Sequence, residues 1–158
     1  MQVRRCARIT VLQALYEIDI AHHQPDEVLA NRLREVSLPQ AGQTFVRRLL
    51  SGILRHQAIL DETIARYAPE WPIDQMAAID RNILRIALFE MASDMETPVK
   101  VAINEAVELS KMFGSESSPR FVNGVLGSIV AVGEHRRLIK HTDSQEKPRR
   151  GSVHRERV

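Results

Sequence analysis

The residues best placed for chemistry stand at the start of the chain. Arg4, Arg5 and Arg8 fall three and four positions apart, with no acid among the first eight residues. On a helix, that spacing sets guanidinium groups side by side. A helix start is a poor place for cations, because the dipole is positive there and like charges four apart repel, each costing roughly a few tenths of a kcal/mol. Two readings fit: phosphates of a nucleic acid supply the counter-charge, or the terminus is a frayed, solvated end. A second polar cluster is the turn Gly114-Ser-Glu-Ser-Ser-Pro-Arg120. Its backbone N–H groups, its hydroxyls and Arg120 face a helix start, which suits a phosphate or a polar base edge; Ser117 and Ser118 are equally plain N-caps. Single-stranded RNA is usually held by stacking bases on rings. This chain has few rings, and from the residues alone Tyr16 and Phe121 each fit a core position.

No arrangement calls for catalysis. Glu105 and Glu108 lie three apart on one helix, but the Glu-x-x-His repeat of a di-iron bundle is missing and Glu108 with Lys111 forms a plain surface pair. No phosphate loop, nucleophile elbow or metal-hydrolase motif occurs. Cys6 with His22 and His23 matches no common zinc spacing. The sequence therefore calls for no catalytic residue, no metal and no cofactor.

The elements that must carry these residues are helices. Val11, Ala14, Leu15 and Ile18, widened by Ile9, Leu12 and Tyr16, form the inward face of a helix from about Arg4 to Ile20. Pro25 opens a shorter helix that ends near Val36, before the break Ser37-Leu-Pro39. From Gln40 to Tyr67 the apolar residues recur at helical spacing, with Gly52 and the Arg55-His56 step marking a bend or a split. Pro69 and Pro72 bracket Trp71, and the loop they define is expected to seat that tryptophan near the core. Met76 to Ala92 reads as the most continuous apolar helix of this half. Pro98 and Gly114 punctuate the next one, which ends at Phe113. In the last, Phe121, Val122, Val125, Leu126, Ile129 and Val130 make a wide apolar face. Gly124 and Gly127 lie opposite, each costing about 0.8–1 kcal/mol relative to alanine; this predicts close approach of another backbone along Gly124, Gly127, Ser128 and Ala131. No stretch alternates with period two over a useful length. The expected fold is all-α, a single compact domain of about seven helices.

Length and charge bound the rest. At 158 residues the chain suits one domain. It lacks a run of about 18 apolar residues, and the h-region of a signal peptide is missing after the first arginines. With a single cysteine, this predicts a cytoplasmic protein with no membrane role. Residues 1–8 carry +3 and residues 134–158 carry +4, so a total of +2 leaves −5 for residues 9–133. The basic ends suit a polyanion and the acidic body suits a basic partner. Residues 1–133 read as the folded domain. Residues 134–158 read as a disordered basic tail, too polar to offset the cost of ordering.

Three motifs resemble one family. Ala102-Ile-Asn-Glu-Ala-Val-Glu-Leu109 followed by Phe121-Val-Asn-Gly-Val-Leu126 is similar to the carboxyl half of the NusB family of bacterial transcription antitermination factors. Ile79-Asp-Arg-Asn-Ile-Leu-Arg-Ile-Ala-Leu-Phe-Glu90 resembles its preceding helix, and Arg4-Arg-Cys-Ala-Arg8 with Leu12-Gln-Ala-Leu-Tyr16 its amino-terminal signature. Together they cover roughly residues 4 to 132.

That resemblance implies a non-enzymatic adaptor that binds boxA RNA together with the ribosomal protein NusE. In this role it would help RNA polymerase, within an antitermination complex, to read through terminators, notably in ribosomal RNA operons. It implies RNA contacts at Arg4, Arg5, Arg8, Tyr16, Ser117, Arg120 and Phe121. For NusE it implies Asp80, with Arg81 and Arg85 nearby for RNA or for ion pairs. Ser117 departs from the family, whose members commonly carry an acid at that place. Some relatives self-associate, so a homodimer stays open. Two other readings also remain open. One is the helical domain found at the amino end of ribosomal RNA cytosine methyltransferases, although no Gly-rich cofactor loop follows residue 133. The other is a purely structural helical module.

Overall fold

A computed structural model describes residues 2–93, 95 and 97–139. Among them are seven helices and no strand: α1 (Val3–Ala21), α2 (Pro25–Glu35), α3 (Gln40–Arg55), α4 (Gln57–Tyr67), α5 (Ala78–Ala92), α6 (Val99–Phe113) and α7 (Ser118–Ala131). The all-helical expectation holds, and the Arg55-His56 step is the split between α3 and α4. The disordered tail expected for the basic C-terminus falls, from residue 140 onward, outside the described residues. Up to that point the chain stays packed: a 3-10 turn over Glu134–Arg136 lies against α5 and α7, with His135, Leu138 and Ile139 buried. The packed body thus runs six residues past the expected boundary at 133.

The apolar pattern explains the layout. Every residue of α5 from Asn82 to Ala92 is buried, because this helix is apolar on nearly all sides and the others must wrap it. α1, α3, α4, α6, α7 and the 3-10 turn all pack on it, and α2 covers the outside of α1. Gly52 does not bend α3; a Cβ there would lie 2.1 Å from Cζ of Phe89, so the missing side chain admits the Phe89 ring. At the α6–α7 corner Gly114 admits Ser118 in the same way, since a Cβ would meet Ser118 Oγ at 2.5 Å.

Two expectations from the sequence are overturned here. Gly124 and Gly127 have nothing within 4 Å of a built Cβ, and the stripe from Gly124 to Ala131 is exposed. No backbone packs there, because the apolar side of α7 already faces α5 and α6. Trp71 is not seated in the core. It is 54 % exposed, since the Trp71 N–H bonds Ala68 O at 3.1 Å and the turn so closed, with a proline on either side, holds the indole off the body.

Polar side chains stitch α1 to α5. The two helices run antiparallel, with Arg8 opposite Glu90 at one end and Asp19 opposite Arg81 at the other. Arg81 Nε donates to Asp19 Oδ2 at 2.6 Å, and Asn82 Nδ2 donates to the same oxygen at 3.0 Å. Arg85 grips both oxygens of Asp61 on α4 at 2.7 and 2.8 Å. Burial pushes the Asp19 carboxyl up, but the bonds from Arg81 and Asn82 and the charges of Arg81 and Arg85 outweigh it and hold it below the usual range.

Candidate nucleic-acid interface

The three amino-terminal arginines part company in the fold. Arg8 lies inside: its side chain is 4 % exposed, and its Nε and Nη2 donate to Glu90 at 2.9 and 2.8 Å. Thr97 Oγ1 donates to Glu90 Oε1 at 3.0 Å. This corrects the expectation of an arginine cluster lying wholly on the surface. Arg5, 37 % exposed, forks onto Glu105 of α6 at 3.1 and 2.9 Å. The bond from Arg5 holds the Glu105 carboxyl below its ordinary range against a smaller effect of burial, and the charges of Arg5 and Arg8 add to it. Arg4 is exposed, stands 4.9 Å over the Phe45 ring and has no carboxylate partner among the described residues. Much of the counter-charge that the helix start requires is therefore internal, supplied by Glu90 and Glu105. The spacing alone left phosphates and a frayed end as the two readings, because these two carboxylates lie 82 and 100 residues away in sequence.

Arg81 and Arg85 are likewise structural. Arg81 also donates to the Met76 carbonyl at 2.9 Å, and Arg85 is 5 % exposed. Both are engaged in ion pairs within the fold, Arg81 with Asp19 and Arg85 with Asp61, which is one of the two roles the resemblance left for them.

A groove forms where the 68–77 loop, the first turn of α5 and the start of α7 meet. It encloses about 640 Å³ and brings together Trp71, Asp80, Ser115, Ser117, Arg120 and Phe121. Four residues singled out from sequence thus share one wall-to-wall space, while Arg4 and Arg5 lie at the other end of α1. Asp80 is 9 % exposed and its Oδ1 has no hydrogen-bond partner among the described residues. Ser117 starts α7 without a side-chain cap; its hydroxyl meets Ser115 Oγ at 3.2 Å, and Ser118 Oγ accepts the Ser115 N–H at 2.9 Å. A second groove of about 400 Å³ opens on the other side of the same rings, between Tyr67, Trp71, Phe121 and the Gly124–Ser128 face of α7. Tyr16 is 42 % and Ile20 50 % exposed; they stand on the stretch of α1 that Asp19 ties to the start of α5. Trp71 is the site residue that sequence reasoning misplaced. Its two flanking prolines were the one available signal, and they describe a loop without saying which way it faces.

Residues 5–131 match the model of the NusB family. The chain belongs to this family. It is 51 % identical over 137 residues to the transcription antitermination protein NusB of Roseiflexus sp. (strain RS-1), covering 85 % of this chain and 96 % of that one. To the NusB of Dehalococcoides mccartyi (strain ATCC BAA-2266 / KCTC 15142 / 195) it is 50 % identical over 126 residues, covering 80 % and 88 %. Among solved structures, T. maritima NusB superposes with a TM-score of 0.76 at 32 % identity, over 81 % of this chain and 90 % of that one. A crystal structure of the antitermination factors NusB and NusE in complex with dsRNA superposes with a TM-score of 0.75 at 25 % identity, over 84 % and 98 %. The match to the family spans residues 5–131, which include α5 and the α6–α7 corner. No helix among the described residues is long and apolar enough to cross a membrane.

Proposed function

We propose that the chain acts in transcription antitermination as a two-sided adaptor that holds boxA RNA and NusE at once. The observation that carries this is the likeness of its whole helical body to a NusB crystallised with NusE and RNA. RNA phosphates take their counter-charge from Arg4 and Arg5, while the Trp71–Phe121 groove, with Ser117 and Arg120, takes the unstacked part of the strand. Arg8 serves indirectly by fixing the start of α1. Tyr16 and Ile20 offer NusE an apolar face on an acidic body, and Asp80 lies where that face meets the groove. The protein works by binding alone, on nascent transcripts in the cytoplasm, with no catalytic step. Residues 1–133 with the short turn after them form the binding body, and the basic residues beyond add attraction for RNA.

Titration of a short boxA-like RNA, with and without NusE, at two salt concentrations tests this. Binding that tightens when NusE is added and weakens with salt supports it; no binding under either condition overturns it.

A further inference from the structure

The smaller groove, of about 400 Å³ on the outer side of α7, is lined by Tyr67, Glu70, Phe121, Gly124 and the only tryptophan of the chain, Trp71. Trp71 is among the exposed large side chains, and Glu70, also exposed, has no cation partner among the described residues. Gly124 is exposed in mid-helix with nothing within 4 Å of a built Cβ, so a chain can lie directly on the backbone of α7 there. The packed body ends beside this groove. Arg66 Nη1 donates to Glu134 Oε1 of the 3-10 turn at 2.7 Å, Arg66 is the neighbour of Tyr67 in α4, and the turn also lies against α7. Residues 140–158 follow, with six Lys or Arg against three Asp or Glu, a net +3. Arg149 and Arg150 stand together among them, between Pro148 and Gly151.

We propose that the chain's own basic tail seats Arg149 and Arg150 in this α7 groove, one guanidinium on the Trp71 indole and the other on the Glu70 carboxylate. The reach suffices: the ten residues from Ile139 to Arg149 span up to roughly 33–36 Å when extended, against about 10 Å of helix rise from Ala131 back to Gly124. An exposed indole with a carboxylate in the same groove suits arginine, whose planar cation stacks on rings and gives up its water more readily than an ammonium does. Arg120, the one cation of the lining, is answered by Asp143 and Glu146 of the same segment. Tethering favours this occupant over a separate molecule, because a linked segment meets its site at an effective concentration on the order of mM. The larger groove on the other side of Trp71 stays open. While seated, the two arginines are withheld from any polyanion, and a polyanion that captures them empties the groove. Docking of this kind does not require that the chain bind RNA.

As the only tryptophan, Trp71 reports the groove without a label. In the whole chain at low salt, its emission should be shielded from acrylamide, and the quenching constant should rise about twofold at about 0.5 M NaCl, where the ion pair is screened. The double variant Arg149→Ser with Arg150→Ser, also in the whole chain, should show the higher constant at both salt concentrations, with helicity by circular dichroism unchanged. Glu70→Gln, which removes one of the two contacts and keeps the indole, should lie between them. Equal constants in the parent and the double variant overturn the seat and leave the RNA-binding reading standing. A salt response that persists undiminished in the double variant assigns the shielding to other groups and overturns it as well. Shielding that fades on dilution at constant salt gives the groove to the tail of a second copy, which overturns docking within one chain.

Discussion

Arg8 and Glu90 form a two-bond fork inside the protein, at 2.9 and 2.8 Å, with side chains 4 % and 1 % exposed. A pair so dry is worth little net against an apolar pair of the same shape, yet it is costly to break from one side, because the remaining charge is left buried. Arg8→Met and Glu90→Leu singly should each destabilise the fold by about 3–5 kcal/mol, and the double variant should recover much of that loss. Urea unfolding of the three variants checks it. If Arg8→Met were neutral to stability, the buried fork would carry none of the weight given to it.

Acid should loosen the molecule in a defined window. The Asp19 and Glu105 carboxyls lie below their ordinary values, Asp19 through Arg81, Asn82 and nearby charges that outweigh its burial, and Glu105 through Arg5. A carboxyl depressed in the folded state stabilises it above the unfolded value, and that stability is lost as pH falls toward the folded value. The urea midpoint should therefore be flat with respect to these groups above about pH 5 and should fall below about pH 4. Asp19→Asn and Glu105→Gln should each start lower and flatten that fall.

His135 sets a separate and higher window. Burial, with a smaller contribution from the Arg136 charge, pushes its imidazole below the ordinary value. The unfolded chain then takes up the proton first, so stability is complete above about pH 6.5 and declines as pH falls through the folded value. His135→Phe should remove this upper step from a plot of urea midpoint against pH while leaving the carboxylate step. Persistence of both steps in that variant would assign the upper one to another histidine.

Helix order and boundaries were legible in the sequence because they depend on local punctuation: Pro25, Pro98 and Gly114 mark ends wherever the helix is placed. The directions of Trp71 and Arg8 were not legible, since each is decided by partners remote in sequence. Glu90 takes Arg8 inward across 82 residues, and no periodicity of α1 records that. The glycines of α7 misled for a similar reason: a small residue looks the same in sequence whether it admits a neighbour or borders an open groove. Ser117, Arg120, Phe121 and Asp80 were found because family motifs and a helix-start pattern marked them. That they share one groove is a fact of tertiary packing.

Those glycines give opposite predictions. Gly52→Ala forces a methyl against the Phe89 ring, at 2.1 Å from Cζ before relaxation, and should destabilise by at least about 1–3 kcal/mol. Gly127→Ala meets open space in mid-helix and should stabilise by roughly 0.8–1 kcal/mol. Calorimetric melting of both separates packing from propensity. A destabilised Gly127→Ala would mean that this face of α7 is covered in solution.

The parting of the amino-terminal arginines makes a prediction that the sequence alone reversed. Arg4 has no carboxylate partner among the described residues and Arg5 is held by Glu105 at an exposed edge, so both remain available to phosphate, whereas Arg8 is committed to Glu90. In RNA titrations over a range of salt, Arg4→Gln and Arg5→Gln should each weaken binding and reduce the logarithmic salt slope by about one. Glu105→Gln releases Arg5 from its internal partner and should raise affinity slightly at low salt, a change that a purely structural Arg5 would not produce. Arg8→Lys keeps a cation opposite Glu90 but loses the fork; it should lower thermal stability while leaving the salt slope unchanged. A slope that falls by one in Arg8→Lys, with stability intact, would return Arg8 to the RNA surface and undo the division of roles drawn between the buried and exposed arginines.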